Sequence, residues 1–317
     1  ALRFEGSQNV TVVGTTFTDN TGGAFGGGLY FENSTNVRVV ACDFLRNTTR
    51  DGGGLNAQAS EVFVDRCRVF GNTATLTGGG FRASGGDLRV TNSSFVGNTA
   101  SNDAGAIVLR TTATAFFENC TVTANVAVDA IGGILPSADV RSTLLNCIVT
   151  GNTDNFGSTP DYGGTGTAAA YSASYSVVDV TNLPGGTFGA NLLVAAPLDL
   201  FVRVPDAGTD GLWGTLDDDY GDLRLLPTAI AIDTGSSTGY TGPLADLDAN
   251  DRAQDDPDTP DMGLAFMEPT IDMGAFEFNI QTVGGNACIA DLNLDGDVDL
   301  GDFGAFGLDF GRTDCND

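Results

Sequence analysis

The chain has 317 residues, 41 of them acidic, with 14 arginines, no lysine and no histidine, for a net charge of −27. That balance excludes direct binding to nucleic acid or to an anionic membrane, whose phosphates call for a basic surface. No run approaches the roughly 18 consecutive apolar residues of a membrane span. The charge is uneven: residues 1–200 hold 16 acids and 10 arginines, residues 201–317 hold 25 and 4. The C-terminal part therefore has a different task, most simply cation binding.

From the N-terminus the chain repeats. Asn20, Asn47, Asn72, Asn98, Asn125 and Asn152 are separated by 27, 25, 26, 27 and 27 residues. Five positions before each stands a small residue (Thr15, Cys42, Cys67, Ser93, Cys120, Cys147), and three before stands an apolar one (Phe17, Phe44, Val69, Phe95, Val122, Val149). Columns that keep register over so many steps denote a solenoid. Within each unit apolar and polar residues alternate, as in Val37, Val39, Cys42 and Phe44 around Arg38 and Asp43. Period two is a strand signal. Coils of about 26 residues made of short strands must stack in parallel, giving an all-β parallel β-helix. Asn suits a bend because it tolerates positive φ, and stacked amides can bond along the axis. The column Gly28, Gly54, Gly80 and Gly133, with Ala106 in the coil between the last two, fits a second tight corner.

Ala1 aligns with Gly28, so the sequence starts within a repeat: either a mature terminus falls there or further coils precede it. The first strand-like stretch, Leu2-Arg3-Phe4, could accept another chain by stacking, giving end-to-end fibres. The regular coils run over 1–152, a looser one closes the helix by residue 205, and 206–280 reads as an irregular acidic cap over the last coil. Residues 281–317 form a separate small module.

The six cysteines divide into a column and a pair. Cys42 with Cys67, and Cys120 with Cys147, lie on neighbouring coils about 4.8 Å apart, within disulfide range. Parallel strands disfavour the dihedral, so buried thiols are the expected state. Cys288 and Cys315 bracket the last module and could staple it. Sequons at Asn9, Asn33, Asn47, Asn92 and Asn119 are expected by chance in an Asn/Thr-rich chain.

The strongest chemical motif is Asp291-Leu-Asn293-Leu-Asp295-Gly296-Asp297-Val298-Asp299-Leu-Gly-Asp302. Oxygen ligands fall at loop positions 1, 3 and 5, with Gly at 6, the Asp297 carbonyl at 7, Asp299 at 9 acting through water, and a carboxylate at 12. Ca²⁺ needs six to eight oxygens around one point, and this spacing supplies them. Asp206, Asp210, Asp217, Asp218 and Asp219 form a possible second calcium site. For catalysis the sequence offers little. Asn152-Thr153-Asp154 matches a polygalacturonase-like motif by letter but lies in the turn ladder, and a lyase base would have to be arginine or tyrosine.

Two resemblances follow from these residues. The 291–302 loop resembles a dockerin repeat, which also ends in Asp, although only one repeat is present and Gly304, Gly307 and Gly311 weaken the following helix. Ala231-Ile232-Asp233-Thr234-Gly235, Asp246-Leu247-Asp248 with Arg252, and Asp272-Met273-Gly274-Ala275-Phe276-Glu277 resemble the tail of bacterial surface proteins with right-handed parallel β-helix repeats, the choice-of-anchor Q type; Gly211-Leu212-Trp213-Gly214-Thr215 resembles the loop preceding it. The resemblance implies a right-handed β-helix at the cell surface. The expected function is a secreted or cell-surface, non-catalytic structural or adhesive protein with calcium-dependent attachment and a protein, polysaccharide or self-association partner. A carbohydrate-active enzyme, lyase or hydrolase, is the alternative, because the fold hosts such activities.

Overall fold

A computed structural model describes residues 1–278 except 112–113, 138–139, 155–160, 165–169, 179–186, 191, 239–242, 253, 255, 257–258 and 265–269. The residues of the expected calcium loop, Asp291, Asn293, Asp295, Asp297, Asp299 and Asp302, and the pair Cys288 and Cys315, lie outside the described residues.

The alternation becomes a four-sided parallel solenoid. The first sheet stacks six strands, beginning Leu2–Glu5, Leu29–Glu32 and Leu55–Gln58. The second stacks eight, among them Val37–Val40, Val62–Asp65, Asp87–Thr91 and Thr114–Glu118. The third also stacks eight, among them Thr16–Thr18, Arg68–Phe70, Ser94–Val96 and Ile148–Thr150. The fourth has five, from Thr48–Asp51 to Thr153–Asp154. Inward residues fill the interior in register: Phe17 stacks on Phe44 with ring centroids 5.0 Å apart, and Val39, Val64 and Val90 follow one another at zero exposure. Each coil alone could not bury these side chains; its neighbours do.

The asparagine ladder forms, but not at positive φ. The left-handed residue is the one before it: Asp19, Arg46, Gly71, Gly97, Ala124 and Gly151. That residue turns the chain, and the asparagine enters the core. From Asn47 onward each Oδ1 accepts both the backbone N–H and the Nδ2–H of the asparagine one coil earlier, as Asn98 does from Asn72 at 3.0 and 2.9 Å. The same five Nδ2 groups also reach a carbonyl of the preceding coil, as Asn98 does to Val69 O at 2.7 Å. One side chain thus satisfies several backbone groups that a buried turn would otherwise orphan. The series ends on a carboxylate: Asp161 Oδ1 accepts from Asn152 N and Nδ2 at 2.7 and 2.8 Å.

The glycine column is likewise displaced from its expected role. Positive φ belongs to Gly26, Gly52, Gly78 and Ala104, two residues earlier. Gly54 is needed for close approach instead, since a Cβ there would lie 2.9 Å from the Gly80 oxygen of the next coil.

The four described cysteines are free and buried. Cys67 Sγ donates to the Asp65 oxygen two residues back, 3.4 Å away, and Ser93 Oγ makes the equivalent bond to Thr91 at 2.7 Å. The column therefore calls for a small donor, which Cys, Ser and Thr all supply. Burial pushes the Cys67 and Cys147 thiols well above their ordinary range. Of the five sequons, Asn47, Asn92 and Asn119 are fully buried.

Candidate functional site

From Pro197 onward the described segment packs along the outer face of the third sheet. A short 3-10 turn, Pro197–Asp199, leads into the antiparallel pair Phe201–Arg203 and Asp222–Leu225. A second apolar cluster joins Phe201, Leu223, Ile232, Met273 and Ala275 of the tail to Val96, Ile148 and Val177 of the coils. The physical reason is that these third-sheet strands are apolar on both faces, and the outer face needs a cover.

The corner glycines make room for it. A Cβ at Gly71 would stand 2.1 Å from Tyr220 Oη, at Gly97 2.4 Å from Trp213 Cε3, and at Gly151 2.6 Å from Pro197 Cγ. The Trp213 ring stacks on Tyr220, centroids 5.9 Å apart, and Tyr220 meets Phe70 at 5.2 Å.

A second corner column supplies polar anchors. Asn92, Asn119 and Asn146 hold positive φ and are fully buried. Asn146 exchanges hydrogen bonds with Ser236, donating from Nδ2 to its oxygen at 2.9 Å and accepting from its N–H at 2.7 Å. Asn92 Oδ1 accepts from Arg252 Nε at 2.7 Å. Arg252, itself fully buried, also donates to Glu277 Oε2 at 3.2 Å and to the Gly274 oxygen at 2.8 Å. Around it Asp233, Asp246, Asp272 and Glu277 are all buried. Asp272 accepts from the Asp233 N–H at 2.8 Å and from the Phe278 N–H. Burial pushes its carboxyl up to about 7, with the Asp233 charge acting in the same direction and Arg252 and two N–H donors opposing. Glu277 is raised well above its ordinary value, first by burial and then by Asp272. Sequence reasoning singled out Asp233, Arg252, Asp272 and Glu277 only through a resemblance; the structure gives them a physical task, clasping the tail to the flank. It missed Asn92, Thr121 and Asn146, whose signal was asparagine at corners of successive coils. Thr121 Oγ1 accepts the Ala275 N–H at 2.9 Å.

At the second candidate calcium site the aspartates serve as turn acceptors: Asp206 for Gly208 N–H, Asp210 for Leu212 N–H, Asp217 for Thr209, and Asp218 for Gly214 and Thr215 N–H groups, with the Thr215 hydroxyl shared between Asp217 and Asp218. Asp219 pairs with Arg203 at 2.8 Å. The hydroxyls of Thr215 and Thr209 hold the Asp217 carboxyl below the usual range. Among the described residues no three carboxylates converge as a metal site would require. The loop is short and Gly-rich, so each carboxylate meets a nearby N–H before it can meet another carboxylate.

Beside the tail, the outer face of the second sheet carries an open groove of about 600 Å³. Its floor alternates along the axis: Arg38 opposes Phe63, Phe63 opposes Arg89, and Arg89 opposes Phe116 in strand register. The Arg38 guanidinium lies 4.8 Å from the Phe63 ring centroid, and that of Arg89 lies 5.6 Å from Phe116. Arg89 is anchored by the fully buried Glu118 at 2.8 Å. Glu61, Asp87, Thr114 and Pro243 rim the groove. Sequence reasoning passed over this face, because outward positions carry no column signature of the kind the core does.

The profile of the right handed beta helix region family matches residues 1–182, more than half of the chain. The chain belongs to the right-handed β-helix family. No curated protein matches it significantly. Among the described residues no helix of this β-helix protein is long and apolar enough to cross a membrane.

Proposed function

We propose that this β-helix protein is a secreted or cell-surface, non-catalytic adhesive rod that contacts an extended ligand with its arginine–phenylalanine face and attaches through its C-terminal segment. The observation that carries the reading is the in-register series Arg38, Phe63, Arg89, Phe116 on a flank beside the tail. Coils spaced by about 4.8 Å present these groups as a regular row, which suits a linear polymer such as a surface polysaccharide. The attachment reading rests on the 291–302 loop, whose ligand spacing fits Ca²⁺ of the dockerin-like kind. The resemblance of the clasp residues to the anchor-Q tail supports a surface location.

The test is co-sedimentation of the full chain with insoluble polysaccharides and cell-wall fractions, beside Arg38→Ala/Phe63→Ala and with product analysis of the supernatant. Binding that the double variant loses supports the reading. Binding untouched by the variant moves the contact elsewhere, and release of new reducing ends or unsaturated sugars replaces adhesion with catalysis.

A further inference from the structure

Where the tail crosses the third coil, a separate cavity of about 350 Å³ opens at the seam. Arg68 enters it from the solenoid strand Arg68–Phe70, Arg203 from the strand Phe201–Arg203, and Arg224 from the strand Asp222–Leu225. Phe70, Tyr220, Phe276 and the carboxylates of Asp222 and Asp248 complete the wall. Three of the 14 arginines of a chain with a net charge of −27 thus line one small hole.

Each guanidinium is oriented by its own aspartate. Arg203 Nε donates to Asp219 at 2.8 Å, Arg68 NH2 to Asp248 at 2.8 Å, and Arg224 Nε to Asp222 at 2.9 Å. These pairs fix the planes of the forks, Arg203 and Arg224 each meeting both oxygens of their aspartate, while the arginine side chains stay 39% (Arg68), 48% (Arg203) and 56% (Arg224) exposed. Arg68 also stands 3.9 Å from Asp43. Burial raises the Asp248 carboxyl, and the neighbouring Asp246 charge works in the same direction while Arg68 opposes both. A guanidinium fork matches the oxygens of carboxylate, sulfate or phosphate, and three such forks line one cavity.

We propose that the seam cavity is an oxyanion-binding site, taking a carboxylate or a sulfate or phosphate group carried by a larger ligand, with Arg68 and Arg224 as its principal contacts. Because the site is built jointly by solenoid and tail, an occupant bridges the two and strengthens the clasp. The site is separate from the arginine–phenylalanine groove, so it stands whether or not that face is adhesive.

The test uses the full chain, titrated calorimetrically at constant ionic strength with glucuronate, sulfate and phosphate in turn, against chloride as the reference ion. Saturable binding of at least one oxyanion is expected, weakened about tenfold or more in both Arg68→Gln and Arg224→Gln, as loss of a charge-assisted hydrogen bond implies. Arg110→Gln, far from the seam on the solenoid and paired with Asp103, is expected to bind as the parent does. The relative strength of the three probes names the source of the group. Absence of saturable binding above the chloride reference overturns the proposal. So does binding that both seam variants retain while their circular dichroism and Trp213 emission remain those of the parent.

Discussion

Arg252 Nε donates a 2.7 Å hydrogen bond to the side-chain oxygen of Asn92, joining residues 160 apart and fastening the tail to a corner of the solenoid. The same guanidinium serves Glu277 and the Gly274 carbonyl. Replacing it with methionine takes the charged partner from the buried Glu277, which keeps only long bonds from the Asp272 N–H, and a donor from Asn92 Oδ1 and the Gly274 carbonyl, at a cost of about 3–5 kcal/mol. The solenoid core is a different apolar cluster and keeps its own packing. Arg252→Met is therefore expected to release the tail first. Trp213 emission should shift and limited proteolysis should cut after residue 200 at a denaturant concentration where the far-ultraviolet strand signal persists. A single transition at the parent midpoint would show that the clasp is not what holds the tail.

The clasp should also respond to pH, with a definite sign. The Asp272 carboxyl is raised from its ordinary value to about 7 in the folded protein, chiefly by burial. A raised acid favours the protonated folded state, so its contribution is fully present below the unfolded value near pH 4. It is lost as pH climbs through about 7. Glu277 moves in the same direction, first through burial and then through Asp272. Tail docking is thus expected to be stronger at pH 5 than at pH 8, by an amount on the order of a few kcal/mol. Tail release monitored at Trp213 across that range checks it. Asp272→Asn should flatten the profile, and a parent profile that is already flat, or that rises with pH, would contradict it.

How much of this was legible in the sequence differs between core and flank. Inward positions repeat because each coil meets an identical neighbour, so Phe17, Phe44 and Phe95, or Cys42 and Ser93, announce themselves as columns. The periodicity could not say which residue of each corner bears the strain. Asparagine is both a good left-handed residue and a good buried amide, and only the backbone shows that Gly71 and Gly97 do the turning while Asn72 and Asn98 do the bonding. The destination of the tail was legible in one place. Ser176-Val177-Val178 and Ile148-Val149 are apolar on both faces, whereas Thr16-Phe17-Thr18 is apolar on one. A strand buried on both faces needs a partner. The calcium loop at 291–302 rests on ligand spacing alone.

The ladder predicts a graded response along the rod. Asn98 makes four side-chain-mediated bonds with its neighbours: it accepts from Asn72 N and Nδ2, and donates to Val69 O and Asn125 Oδ1. Asn98→Ala strands buried donors on one side and buried acceptors on the other, at a cost of about 3 kcal/mol or more. Asn20 is only partly buried, so water can replace what Asn20→Ala removes. Equilibrium denaturation of the two variants should give a clearly larger loss for Asn98→Ala. Equal losses would mean that the amide chain contributes no more in the interior than at its edge.

The calcium reading proposed for the 291–302 loop predicts a metal-dependent signal confined to the C-terminal segment. Asp291 and Asp302 occupy the first and last ligand positions, and removing either takes one oxygen from a set of six to eight. Calorimetric Ca²⁺ binding is expected for the parent and should be abolished or greatly weakened in Asp291→Ala, while the strand signal and the Trp213 emission are unchanged. Light scattering with and without chelator then separates attachment from assembly: a mass that collapses on chelation makes the loop an oligomer contact, and a constant mass leaves it as a tether for another protein. No binding at millimolar Ca²⁺ removes the loop from the account.

The cysteine column predicts a chemical signature. Cys67 Sγ donates to a carbonyl as Ser93 Oγ does, so the position selects a small donor and not a thiol as such. Cys67→Ser should change stability by no more than about 1 kcal/mol, whereas Cys67→Val, larger in branching and without a donor, should cost about 2 kcal/mol through overpacking and the lost bond. The thiols at 42, 67, 120 and 147 are buried, and burial raises those of Cys67 and Cys147 well above their usual range. Cys42 departs from them, its thiol lowered to about 7 chiefly by the hydrogen bond with Cys67, so that burial alone shields it. Reaction with an aromatic disulfide reagent should leave these four untouched in the folded protein and titrate them fully after denaturation. Rapid modification under native conditions would place at least one of them outside the core and break the equivalence between cysteine and serine in the column.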